Sequence, residues 1–155
     1  LESTSIHLIQ QGIVRLLRMF PHEGIEQAVV DEYNKQTVFE MERIRDFIIL
    51  HYKLTSRDDS KFWRDCQQMD IPDSLAEKMK LFMESGKVFR DFEDLFTEIA
   101  WQQVMIGQGL IPKDHHPLVD SLSEQQISEL MDNLKTIISR TVNNMPSHDE
   151  FLARL

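Results

Sequence analysis

From Ile6 onward, apolar residues recur at steps of three and four, at Ile6, Ile9, Ile13, Leu16 and Phe20. That spacing lays one stripe along an α-helix and turns it toward a core. The pattern predicts a first helix closed by Pro21, with Ser3 or Thr4 as the capping hydroxyl that accepts a bond from a free backbone amide. Between Ile6 and Leu17 the run is apolar on more than one face. Such a helix is expected to bury against something larger than its neighbours in this chain.

Residues 25–54 carry a second long helix, with Val38, Met41, Ile44, Ile48 and His51 or Tyr52 on one stripe and Glu40, Glu42, Arg43 and Arg45 off it. Phe47 to Tyr52 taken alone would pass for a strand, but the periodic run around it is too long. Asp59 or Ser60 caps a short helix carrying Phe62, Trp63 and Cys66. Ser74-Leu75-Ala76-Glu77 matches a capping box, and Gly86 suits a helix stop. Phe89, Phe92, Phe96, Ile99 and Gln103 form the next stripe, flanked by Leu95 and Trp101 and ended by Gly107 and Gly109. Pro112 to Asp120 is an ordered loop. Ser123-Glu124-Gln125-Gln126 caps a last long helix through Ile127, Leu130, Leu134, Ile137 and Ile138, which Pro146 ends, and His148 to Leu155 finishes in a half turn. The expected fold is all-α, about six helices in one compact domain spanning residues 1–155, without repeats or low-complexity linkers.

Composition narrows the partners. With 155 residues, 41% of them hydrophobic, the chain can bury a core and is not disordered. Its formal charge of -9 argues against nucleic acid and anionic membrane surfaces. The lone Cys66 fits a reducing compartment, and no apolar run reaches the roughly 20 residues of a membrane helix, so a cytoplasmic location is expected.

The candidate chemistry is sparse. His115-His116 diverge in an extended loop and lack companion ligands, so no metal site is expected. Gly107-Gln108-Gly109-Leu110-Ile111-Pro112 follows a helix and has proline where a dinucleotide fingerprint needs its third glycine, which makes it a helix stop. His51 is expected to be a core histidine with a hydrogen-bond partner, Phe62 and Trp63 core residues, Arg57-Asp58-Asp59 a surface ion pair or cap, and Glu40, Glu42 and Asp46 a solvated acidic face. Cys66 has no activating partner. At the chain's start, a carboxylate and two hydroxyls stand at the positive end of the first helix, where free amides attract anions. Spacing alone is equally met by an ordinary capped helix.

Three stretches carry a family resemblance: Leu1-Glu2-Ser3-Thr4-Ser5-Ile6, Arg45-Asp46-Phe47-Ile48-Ile49-Leu50-His51-Tyr52, and Arg57-Asp58-Asp59-Ser60-Lys61-Phe62-Trp63. Together the chain resembles the C-terminal part of flavin-dependent tryptophan halogenases, over most of its length. The resemblance implies a fragment of a larger enzyme, its helices packing on an N-terminal FAD-binding domain absent from this chain. The family's lysine, its glycine fingerprint and its tryptophan-rich signature belong to that absent part. Glu2 matches the active-site glutamate, the amides of Thr4 and Ser5 match the halide site, and Ile6 matches a position contacting the flavin. Many relatives have glycine where this chain has Ser5.

The implied activity is chlorination or bromination of an electron-rich aromatic such as tryptophan or indole, by hypohalous acid made from reduced FAD, oxygen and halide. A flavin reductase would supply the reduced cofactor, and a homodimer is compatible. The isolated piece is not expected to be active. By alignment to the family, Leu95 and Phe96 fall at its aromatic clamp and Asp91 near its substrate glutamate. Glu84 and Ser85 stand where relatives have a tyrosine pair, so hydroxyls that would hold a zwitterion are missing. Two alternatives stand beside this: a non-catalytic helical interaction domain, and a flavin monooxygenase that uses no halide.

Overall fold

A computed structural model describes residues 2–90 and 94–154, except for the side chains of Glu2 and Ser3. Every regular element among them is helical, as the periodicity predicts. The chain divides into two compact units, Leu1–Asp114 and His115–Leu155.

The first unit holds α1 (Glu2–Arg18), α2 (Gln27–Lys53), α3 (Lys61–Gln68), α4 (Asp73–Ser85) and α5 (Glu98–Gly107). Helix α2 is its spine, touching each of the other four. Phe47, Leu50, Leu75, Phe82, Val88, Trp101 and Met105 form the core, where α2, α4 and α5 meet. The buried stripe of α2 is therefore Glu40, Ile44, Phe47 and Leu50, and the expected stripe members Val38 and Met41 are exposed.

Local chemistry sets most boundaries. The Ser60 hydroxyl accepts from the Trp63 amide and starts α3. Gly86 ends α4 at φ 67°, a left-handed conformation where a Cβ would also meet the Asp114 carbonyl oxygen at 2.9 Å. The expected box at Ser74 does not form. Helix α4 opens two residues earlier than a cap at Ser74 would allow, at Asp73, and the Ser74 hydroxyl donates to Asp46 Oδ2 at 2.5 Å. The stripe expected from Phe89 also shortens: the Thr97 hydroxyl caps α5 by accepting from Ala100, so the helix begins at Glu98. Trp101, expected on a flank, is a buried core residue, while Phe89 and Ile99 are exposed. Phe62 is likewise exposed and Trp63 half-buried, so neither is core.

The second unit holds a 3₁₀ turn over Pro117–Ser121, then α6 (Glu124–Asn144) and α7 (His148–Leu152). Ser123 and Gln126 form the expected capping box, and Ser147 and Glu150 form another where only a half turn is expected. Among the described residues no helix is long and apolar enough to cross a membrane.

Candidate functional site

Helix α1 is held to α2 by charge. Glu40, 6% exposed, accepts from Arg15 Nη2 at 2.8 Å, and His7 Nε2 lies 3.7 Å from its other oxygen. Arg15 Nη1 donates to the Thr37 hydroxyl at 2.9 Å. The acidic face expected to be solvated is thus partly interior. Asp46, 1% exposed, accepts from Arg45 and Ser74, with Arg43 Nη1 at 3.6 Å. The physical reason is pairing: a buried carboxylate is tolerated where cations and hydroxyls satisfy its lone pairs.

The clamp sets the amino end of α1 beside a cavity of about 470 Å³. Thr4 of α1, Ile44, Phe47, Ile48, His51 and Tyr52 of α2, and Thr55, Trp63, Phe96 and Gln108 line it. Its size suits a small aromatic molecule, for which pockets run to about 300–1,000 Å³. Phe96 stacks on Phe47 with ring centroids 3.8 Å apart and planes 21° apart. Trp63 lies nearly parallel to Tyr52 at 6.0 Å, and the Arg57 guanidinium lies over the Trp63 ring at 4.4 Å. Arg57 is in turn held by Asp59 at 2.8 Å, the surface ion pair expected from the sequence. That hydrogen bond, more than the opposite charge, holds the Asp59 carboxyl below the usual range.

Two residues singled out from the sequence, Thr4 and Phe96, meet in this cavity although 92 positions separate them. Leu95 instead lines a neighbouring hollow of about 300 Å³ with His7, Arg15, Glu40 and Arg90. Ser5 and Ile6 are exposed on α1, Ile6 at 61%, and the stripe expected to face a core is open from Ile6 to Phe20. Helix α1 begins at Glu2, so Ser3 and Thr4 stand inside its first turn, not at the cap. The Thr4 amide is among those a helix leaves without intrahelical partners. Glu84 and Ser85 lie in the last turn of α4. The side chain of Glu2 and all of Asp91 are outside the described residues.

His51, Tyr52 and Trp63 were not candidates for the site. The signal was present: His51 and Tyr52 share the stripe of Ile44 and Ile48, which has a polar end where a closed core would have none. His51 does have the expected partner, the Phe47 carbonyl, 2.7 Å from Nδ1. The paired histidines do other work. His115 Nε2 is 2.7 Å from Asp120 and His116 Nδ1 accepts from the Leu118 amide. Among the described residues no three His, Cys, Asp or Glu converge on a possible metal position.

The comparisons with known proteins agree on one family. A family model described as tryptophan halogenase matches residues 1–124. A tryptophan 6-halogenase of Streptomyces toxytricini is 27% identical over 163 residues, spanning 100% of this chain and 30% of that protein. The solved structure of a flavin-dependent halogenase from Xanthomonas campestris superposes with a TM-score of 0.93 at 48% identity, over 99% of this chain and 31% of that one. One from Brevundimonas sp. BAL3 superposes equally well, TM-score 0.93, at 42% identity and the same coverage of 99% and 31%. The chain spans about a third of the length of the relatives it matches.

Proposed function

For a chain that belongs to the tryptophan halogenase family, we propose the role of the C-terminal, substrate-side part of a flavin-dependent halogenase that chlorinates or brominates an electron-rich aromatic such as indole or tryptophan. The observation that carries this is the cavity where the first turn of α1 meets the stacked ring of Phe96. Helix α1 would lie at the junction with the flavin-binding part of the parent protein. The open apolar face around Ile6 suits that junction, because an exposed stripe of this length needs a partner. When bound there, reduced FAD from a flavin reductase supplies, with oxygen and halide, the hypohalous acid that carries the halogen.

The residues of this chain then have separate tasks. The amides of Thr4 and Ser5 hold chloride or bromide at the positive end of α1. The Glu2 carboxylate polarises the incoming halogen donor, stabilises the cationic ring and takes its proton. Phe96 offers a face to the substrate, with Asp91 as a further substrate-side residue, whereas Leu95, lining the other hollow, does not border this cavity. The described residues lining the cavity include no carboxylate, ammonium or guanidinium group. That favours a neutral ring such as indole over a zwitterionic amino acid, whose charges would lose water without gaining partners.

The test is product mass spectrometry on the full-length parent protein with a flavin reductase, bromide or chloride, and indole or tryptophan. Wild type should give a halogen mass shift that nearly vanishes in Glu2→Gln. Product formed equally by that variant would remove Glu2 from the chemistry, and no halogenated product from a broad aromatic panel would end the halogenase assignment.

A further inference from the structure

Among the polar side chains lining the cavity, His51 is the one that the fold fixes as a hydrogen-bond acceptor. Its Nδ1 lies 2.7 Å from the Phe47 carbonyl oxygen. A carbonyl oxygen only accepts, so Nδ1 carries the hydrogen and donates. In the neutral ring the hydrogen is then absent from Nε2, which can only accept. The edge-on contact with Phe47, ring centroids 4.9 Å apart and planes 80° apart, holds the imidazole in that orientation. No described residue bonds to Nε2, and the ring borders the cavity. Thr4, Thr55, Tyr52 and Gln108 also border it, but each can donate or accept and selects neither, while the Trp63 indole N–H can only donate.

We propose that His51 is a specificity-determining residue, its Nε2 accepting a hydrogen bond from the ring N–H of an indole-type or pyrrole-type substrate lying between Phe96 and the Tyr52–Trp63 pair. The inference rests on the halogenase assignment and adds the residue that reads the substrate's ring N–H and the orientation this contact sets. An arene without a ring N–H would leave Nε2 dry and unpaired, which is the condition under which a binding site discriminates most strongly. Anchored at that nitrogen, the ring presents a fixed set of carbons to the first turn of α1, so His51 also influences which position is halogenated.

The experiment uses the full-length parent with flavin reductase and bromide. It compares indole with 1-methylindole, which lacks the N–H, and with 2-methylindole, which keeps it and matches the added bulk. In wild type the KM for 1-methylindole should exceed that for 2-methylindole by about tenfold, the worth of one hydrogen bond in a closed site. In His51→Phe the two values should converge through a rise for 2-methylindole, with a changed mixture of brominated isomers from indole. His51→Gln, which retains an acceptor oxygen, should recover part of the preference. An unaltered KM ratio in His51→Phe overturns the proposal while leaving the halogenase assignment intact. If that variant does not fold, equal wild-type values for the two methylindoles overturn it. Absence of halogenated product from every arene overturns the assignment beneath it.

Discussion

Removing the Asp46 carboxylate tests whether an interior charge network joins α2 to α4. Asp46 is 1% exposed and accepts from the Ser74 hydroxyl at 2.5 Å and from Arg45 at 2.8 and 3.1 Å, with Arg43 3.6 Å away. The Arg45 side chain is 46% exposed, so water takes over most of its share and it adds little. Arg43, at 20%, keeps other contacts, among them the Phe39 ring at 4.8 Å, so the loss falls mainly on Ser74, whose bond to the carboxylate is by itself worth about 1.5–3 kcal/mol. Losing that bond and opening a buried hole where the carboxylate stood puts Asp46→Ala at about 3 kcal/mol, the upper end for a hydrogen bond to a charged group. Asp46→Asn keeps an oxygen for Ser74 and should cost about half as much. Because a single unfolding free energy is ill-defined for a multidomain parent, local opening is the quantity to measure. Hydrogen exchange on the full-length protein should show protection of peptides across the middle of α2 and the start of α4 falling about 100-fold in Asp46→Ala and about tenfold in Asp46→Asn. Protection in the alanine variant within about twofold of wild type would refute the reasoning.

Two further outcomes follow from other charges. Glu40→Ala strands Arg15, whose side chain is 11% exposed, and should loosen α1 by about 3 kcal/mol; exchange in α1 should quicken about 100-fold while α3 is unchanged, and equal changes in both would contradict a clamp specific to α1. Arg57→Ala should let the Asp59 pKa rise back toward its ordinary 3.8, observable by carbon NMR with carboxyl-labelled aspartate. Asp59 is depressed in the folded protein, so its contribution to stability is present above that ordinary value and fades as pH falls through the lowered one. An unmoved Asp59 titration would show that the guanidinium is not its cause.

What could be read from the residues follows the range of the forces involved. Ser60, Gly86 and Ser123 mark helix ends as expected because capping is settled within about four residues of backbone. Ser74 has the same local pattern but stands inside the helix, which opens at Asp73, and its hydroxyl donates at long range to Asp46, 28 positions away, at 2.5 Å. The same limit explains Glu40 and Asp46. Periodicity assigns them to a polar face, whereas burial depends on Arg15 arriving from α1 and Ser74 from α4, and polarity alone does not encode either arrival. In the cavity, the first turn of α1 and the ring of Phe96 were legible because motif resemblance reports positions one at a time. The wall of His51, Tyr52 and Trp63 was not, since its meaning lies in where α2 sets α3, and each of those residues taken singly suits a core. A residue's chemistry is thus visible in the chain when its partner is within a helical turn. Where the surroundings come from other helices, as for the His51 ring beside a space lined by Thr4 of α1, Trp63 of α3 and Phe96, only the assembled fold shows which groups are left to bind something else.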